Sequence, residues 1–302
     1  MNRKLLLTAV AVILLTACRQ STGVSSDYKA ELKKELTAIA DSAKGDVGIA
    51  LIYDGDTLTV NNDAIYPMMS VFKLHQAVAL CRMFEENGTS LDSVMTLRRS
   101  ELDPDTWSPM LKDHSDEEIS LPMRRLLEYT LIESDNNASN EMFVRLMPPA
   151  ACDSVIAGII PRGSFEIRFN EAEMQADHSQ AYSNRTSPLG AAILIDRVFT
   201  DTLVGKDYQD FIKSALMRCQ TGPDKISAAL SEREGITIGH KTGSGYRDDS
   251  GRLAASNDVA FITLPDGRHY SLAVFVKDFD GTDAEAAATI ARISEAVIKA
   301  LE

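Results

Sequence analysis

Apolar positions along this chain follow two rhythms, and the rhythm changes twice. Leu32, Leu36 and Ile39 recur at helical spacing and predict a helix over 28–40. Val47-Gly48-Ile49-Ala50-Leu51-Ile52-Tyr53 is an unbroken apolar run of the buried-strand kind, and Asp54-Gly55-Asp56 turns it into a second strand at Leu58-Thr59-Val60. From Pro67 onward the pattern is helical, with predicted helices at 70–86, 122–132, 138–147, 188–199 and 208–218 separated by polar loops. Strands return at 236–241, 258–264 and 270–276, and an Ala-rich helix over 283–301 closes the chain. Strand material at both ends with helices between predicts an α+β fold. Its antiparallel five-stranded sheet is built from 27–66 and 219–302 and flanked by the terminal helices, and an all-helical lobe over 67–218 is inserted between them. No repeat or linker divides 27–302, so it is read as one functional unit.

The first residues follow neither rhythm. Arg3 and Lys4 precede an apolar run from Leu5 to Leu15, too short for a comfortable membrane span and shaped as an export signal over 1–17. Leu15-Thr16-Ala17-Cys18 resembles the bacterial lipobox, in which cleavage leaves the cysteine as a lipid-modified N-terminus. The expectation is an exported, periplasmic protein tethered through Cys18 and residues 18–26, with no other membrane contact.

The 44 acidic residues outnumber the 31 basic ones, for a net charge of −13, and loss of the signal removes two further positive charges. The general attraction that drives nucleic-acid binding is absent, and a small-molecule enzyme suits the balance better; a monomer is expected. In an oxidising envelope Cys81, Cys152 and Cys219 could form one disulfide or remain buried thiols. The five histidines show no paired spacing and there is no CxxC, so neither a metal nor another cofactor is expected.

Ser70-Val71-Phe72-Lys73 places a hydroxyl one helical turn ahead of an amine, but Ser26-Asp27-Tyr28-Lys29 has the same spacing, so the tetrapeptide decides nothing alone. What matters is its company. Ser134-Asp135-Asn136 lies between two predicted helices, Lys241-Thr242-Gly243 ends a predicted strand, and Glu166-Ile167-Arg168-Phe169-Asn170 sits in a long irregular segment. A nucleophile at a helix N-terminus would have unpaired N–H groups beside it, suited to an oxyanion.

The ordered set resembles the class A β-lactamases, with the likeness running over about residues 28–300. The resemblance implies that Ser70 forms an acyl-enzyme with a small-molecule β-lactam and that Lys73 or Glu166 serves as its base. Ser134 would relay a proton to the departing nitrogen, and Glu166 with Asn170 would hold the deacylating water. Asn136 would grip the side-chain amide, Lys241 and Thr242 the carboxylate, and the Ser244 N–H the oxyanion. Trp107 would wall the mouth, and Thr221 and Lys225 fall where some members serve the carboxylate.

Departures from the pattern bear on substrate. The segment between Asn170 and Pro188 is longer than the familiar omega-loop, and Ser164 and Asn184 stand where an Arg and Asp pair would latch it. This resembles the extended-spectrum, cephalosporin-hydrolysing branch. Met69 and Gly245 stand where the carbapenemase branch is expected to carry a disulfide, so that activity is not expected. Two alternatives remain: a peptidoglycan D,D-peptidase of the same superfamily, against which Glu166 and Asn170 argue, and a β-lactam sensor that stays acylated.

Overall fold

The structure is a computed structural model and describes residues 26–302, so the export signal and Cys18 lie outside the described residues. Five strands form its main sheet: β1 Asp46–Tyr53, β2 Asp56–Val60, β3 Thr237–Ser244, β4 Leu253–Thr263 and β5 His269–Phe279. Their order is β2-β1-β5-β4-β3, and every pairing is antiparallel. Asp54 and Gly55 both take positive φ, 51° and 74°, which is the tight turn whose twist suits a two-residue hairpin.

Alternation along β5 sorts the interior into two cores. Tyr270, Leu272, Val274 and Val276 face the terminal helices Ser26–Asp41 and Asp283–Leu301, packing with Leu32, Leu36, Ile290, Ile293 and Val297. Ala273 and Phe275 face the other way, where Ala50, Val259 and Phe261 join Leu74, Val78, Leu126, Phe143 and Ile195 of the inserted lobe. A sheet covered on both faces explains why β1 reads as a continuous apolar run instead of an alternating one.

Two expectations need correction. The lobe is not all-helical: Val94–Arg98 pairs with Glu118–Pro122, and Tyr66–Pro67, Arg185–Thr186 and Phe165–Glu166 form a small second sheet. In the first pair Met95 and Leu97 face Leu121 and Ile119 from the core side while Thr96 and Ser120 hydrogen-bond outside at 2.7 Å. That alternation is only five residues long on each strand and is masked by its polar members. Second, β3 does not end at Lys241 but runs to Ser244, and β4 begins at Leu253 rather than Asp258. Ser256 and Asn257 are polar yet buried, because the Asn257 amide donates to the carbonyls of Pro67 and Met68 at 2.8 and 3.1 Å. Those bonds pin β4 to the segment just ahead of the turn that carries Ser70.

Candidate active site

Ser70 lies in a short 3-10 turn, Met69–Val71, that opens into the α-helix Phe72–Asn87. Met69 just before it has φ 45°, a left-handed conformation that costs a non-glycine residue about 1–3 kcal/mol and persists only under external constraint. The constraint is visible. Met68 donates its N–H to the Asn184 carbonyl at 2.8 Å, and β3 presses so close that a Cβ on Gly243 would stand 2.5 Å from the Met68 oxygen and 3.2 Å from the Ser70 nitrogen.

The ladder of β3 also decides where its donors point. Gly245 gives its N–H to the Ala255 carbonyl at 2.8 Å, so positions 245, 243 and 241 face β4 while 244 and 242 face outward from the sheet edge. The Ser244 N–H is therefore free of the ladder, on the side of the Ser70 turn. Ser70 and Ser244 line one cleft of about 190 Å³ together with Asn136, Glu171, Met174, Gln175, His178 and Tyr246.

Two lysines hold Ser134, one by its carbonyl and one by its hydroxyl. Lys73, 0% exposed, donates to the Ser134 carbonyl at 2.8 Å and to Asn136 Oδ1 at 2.6 Å. Lys241, also fully buried, donates to the Ser134 hydroxyl at 2.9 Å. Ser134 adopts φ 60°, a second strained residue in this region. Burial pushes the Lys241 ammonium down to about 7; the Cys219 and Asp258 charges oppose that shift, while those of Lys73 and Lys225 favour it. Asp135 between them is the N-cap of the helix Asn136–Arg145, accepting from Ala138 N–H at 2.8 Å, from the Ser108 hydroxyl at 2.8 Å and from Met110 N–H at 2.7 Å. The triplet is thus both cap and site.

The carboxylate beside Lys73 is Glu171, with Oε1 at 2.8 Å from Nζ, and not Glu166. Glu166 lies in the small second sheet, pairs with Arg168 at 2.5 Å and Arg185 at 2.9 Å, and lines a separate surface hollow with Ile65, Arg162 and Phe165. Partial burial raises its pKa, but the two guanidiniums outweigh that and hold it below the usual range. Asn170 does not line the cleft either: it caps the helix Glu171–Ala176, with Glu173 returning the bond in a capping box. One turn beyond Glu171, Gln175 lines the cleft in its place. The signal for this was present, since Asn170-x-x-Glu173 reads as a helix start and commits Asn170 to the cap.

The missing Arg and Asp latch is replaced by an amide. Buried Asn184 accepts from the N–H groups of Arg168 and Phe169 at 2.8 and 3.0 Å and donates to the Phe169 carbonyl at 2.8 Å, fixing the backbone just ahead of Glu171. Its own carbonyl holds Met68, so one residue ties the loop to the nucleophile turn. Asp153 accepts from Ile167 N–H at 2.8 Å, and Ser164, whose hydroxyl closes its own turn onto the Pro161 carbonyl at 2.6 Å, accepts at its carbonyl from Ser187 N–H at 2.7 Å and the Thr186 hydroxyl at 3.1 Å.

Of the remaining expected residues, Thr221 and Thr242 share a hydroxyl contact of 2.5 Å. Trp107 is 54% exposed, with its indole donating to the Glu133 carbonyl and its own carbonyl accepting from Asn136, so it stands at the rim. Lys225 departs from expectation: it is buried, and its ammonium is committed to the carbonyls of Gly243 and Asn257 and to Ser244 Oγ, all within 3.1–3.2 Å. It reaches the cleft only through Ser244. Cys81, Cys152 and Cys219 are free thiols. Among the described residues no group of three His, Cys, Asp or Glu side chains is placed to hold a metal ion.

A serine in one cleft with a carboxylate, with two buried lysines bonded to a neighbouring serine, is an arrangement suited to serine acyl transfer. Comparison with known proteins gives the family. The model of the Beta-lactamase enzyme family matches residues 31–301. A β-lactamase of Phocaeicola vulgatus is 53% identical over 89% of this chain and 84% of its own. The extended-spectrum β-lactamase PER-1 of Pseudomonas aeruginosa is 31% identical over 97% and 93%. Among solved structures, a class A β-lactamase from Bacteroides cellulosilyticus superposes with a TM-score of 0.85 at 29% identity, covering 91% of this chain and 98% of that one. TLA-3 extended-spectrum β-lactamase gives 0.86 at 28%, covering 90% and 99%. The chain belongs to the β-lactamase family and is a class A serine β-lactamase. It hydrolyses β-lactams, an activity that confers antibiotic resistance.

Proposed function

We propose that Ser70 attacks the β-lactam carbonyl while its proton passes to the Lys73 and Glu171 pair, and that Glu171 then activates the water that frees the acyl-enzyme. The observation that carries this reading is the 2.8 Å contact of Lys73 with Glu171, a carboxylate that lines the same cleft as Ser70. In acylation the Ser70 oxygen forms the new ester bond, the amide C–N bond breaks, and Ser134 passes a proton to the departing nitrogen. Lys241, bonded to the Ser134 hydroxyl, polarises that relay, and its charge with the Thr242 hydroxyl receives the substrate carboxylate. The oxyanion is received by the N–H groups of Ser70 and Ser244; a donor of this kind contributes about 10²- to 10³-fold in rate. In deacylation a water held by Glu171 and Gln175 loses its proton to Glu171, attacks the ester carbonyl, and returns Ser70 to its hydroxyl form.

The long segment after Glu171 and the likeness to PER-1 and TLA-3, both extended-spectrum enzymes by name, support cephalosporins with bulky side chains as preferred substrates. The signal and lipobox over 1–18 support export and a lipid anchor at Cys18, with the protein acting as a monomer in the periplasm. Purified protein mixed with a chromogenic cephalosporin tests the mechanism: repeated turnover that vanishes in Ser70→Ala is expected, and a single stoichiometric burst from the native protein would overturn it.

A further inference from the structure

Two segments far apart in the chain meet in the lining of the cleft. Glu171, Met174 and His178 of the long loop supply one part of it, and Ser244, Gly245 and Tyr246 at and beyond the end of β3 supply another. The His178 and Tyr246 rings stack, with centroids 4.1 Å apart and planes inclined by 22°. The Tyr246 hydroxyl also donates to the His178 carbonyl at 2.5 Å. One stack and one hydrogen bond thus clasp the loop to the strand end, and the hydrolytic mechanism uses neither ring.

The two halves of the clasp are held unequally. Tyr246 belongs to the sheet: its carbonyl accepts from Ala254 N–H at 2.8 Å, Gly245 before it donates to the Ala255 carbonyl at 2.8 Å, and Arg247 after it pairs with Asp283 at 2.6 Å. His178 opens a 3-10 turn, His178–Ser183, whose Asp177 cap spends its carboxylate on Ser179 and Gln180 of the same turn. The loop is anchored on either side of His178. Ala172 N–H donates to Asn140 Oδ1 at 3.1 Å, and the Tyr182 hydroxyl donates to Asp278 Oδ1 at 2.6 Å. The stretch around His178 can therefore part from Tyr246 while Glu171, next to the anchored Ala172, keeps its place beside Lys73.

We propose that His178 and Tyr246 determine specificity by closing the side-chain end of the cleft, so that a bulky β-lactam side chain enters only by parting them. Closed, the cleft holds about 190 Å³, below the roughly 300 Å³ at which small-molecule sites begin. Asn136, which by resemblance grips the side-chain amide, lines the same cleft, so the group beyond that amide is directed at this end. A compact side chain leaves the clasp shut. A bulky one gives up the stack and the bond, and its kcat/KM carries that cost. This role rests on the reading that the enzyme takes bulky cephalosporins, and it names the contact that sets how well.

The test compares two cephalosporins that share a nucleus, one with a compact thienylacetyl side chain and one with a bulky aminothiazole-oxyimino side chain. Tyr246→Ala should raise kcat/KM for the bulky substrate relative to the compact one by about tenfold, the scale of one aromatic stack and one neutral hydrogen bond. Tyr246→Phe, which keeps the stack, and His178→Ala, which keeps the accepting carbonyl, should each give part of that shift. Because both rings serve one contact, adding His178→Ala to Tyr246→Ala should change the ratio little further. A ratio unmoved in Tyr246→Ala, or effects of the two substitutions that simply add, would overturn the proposal. So would an equal fall in kcat for both substrates, which would mark a role in positioning Glu171. Should Tyr246→Ala not fold, Tyr246→Phe and His178→Ala still decide it. A native enzyme that turns over the compact cephalosporin alone would contradict the reading of bulky substrates, and gain of the bulky one in Tyr246→Ala would then still support the clasp.

Discussion

His75 makes the nucleophile helix acid-sensitive in a way that can be calculated. It lies two residues beyond Lys73, is fully buried against Phe165 with ring centroids 5.8 Å apart, and neither ring nitrogen has a hydrogen-bond partner. Burial pushes its pKa from 6.5 down to about 4, and only a weak pull from the Val71 carbonyl opposes this. The folded state therefore binds a proton less readily than the unfolded chain. Stability is complete above the unfolded value and is lost as pH falls from 6.5 towards 4. Linkage gives a loss of about 2 kcal/mol at pH 5 and about 3 kcal/mol at pH 4 from this side chain alone. His75→Leu removes the titrating group while keeping an apolar filling, at a packing cost of under about 1.5 kcal/mol. Urea unfolding of both proteins measures it: the variant should gain on the native protein by about 2 kcal/mol between pH 7.5 and pH 5. Parallel stability profiles over that interval would refute the reasoning.

Asn184→Ala removes the amide that clamps the backbone at 168 and 169, and should cost about 3 kcal/mol while slowing deacylation more than acylation, as read by pre-steady-state mixing. Gly243→Ala puts a methyl 2.5 Å from the Met68 carbonyl. About 1–3 kcal/mol of stability and much of kcat should go with the displaced Ser70 turn, checked by thermal unfolding and steady-state assay. Burial pushes Lys241 down to about 7, so if its charged form receives the substrate carboxylate as proposed, kcat/KM should fall as pH rises above 7, and Lys241→Arg should carry that limb to higher pH.

Much of this was legible in the amino-acid order because the elements that carry it have strong local signals. The unbroken apolar run of β1, the Asp54-Gly55 turn and the amphipathic terminal helices specify the sheet and its two faces. Lys73 and Lys241 both bond to Ser134, and Ser70 lines one cleft with Asn136. What was illegible depends on partners distant in the chain. Asn257 reads as a loop residue until the carbonyls of Pro67 and Met68 are beside it, so β4 began too late. Glu166 and Glu171 are each followed four residues later by an amide, and spacing alone does not rank them. Arg185, nineteen residues away, draws Glu166 outward, while the Asn170 cap starts the helix that aims Glu171 inward. Lys225 looked free for a ligand, and three acceptors on β3 and β4 consume its donors.

The identity of the deacylating base tests the account most directly. Glu171→Gln and Glu166→Gln, each mixed with a cephalosporin and weighed intact by mass spectrometry alongside a turnover assay, separate the two carboxylates. Glu171→Gln should accumulate acyl-enzyme on Ser70 and lose about 10²- to 10⁴-fold in turnover, the scale of a general base, while Glu166→Gln stays near native. Accumulation in Glu166→Gln with continued turnover in Glu171→Gln would contradict it.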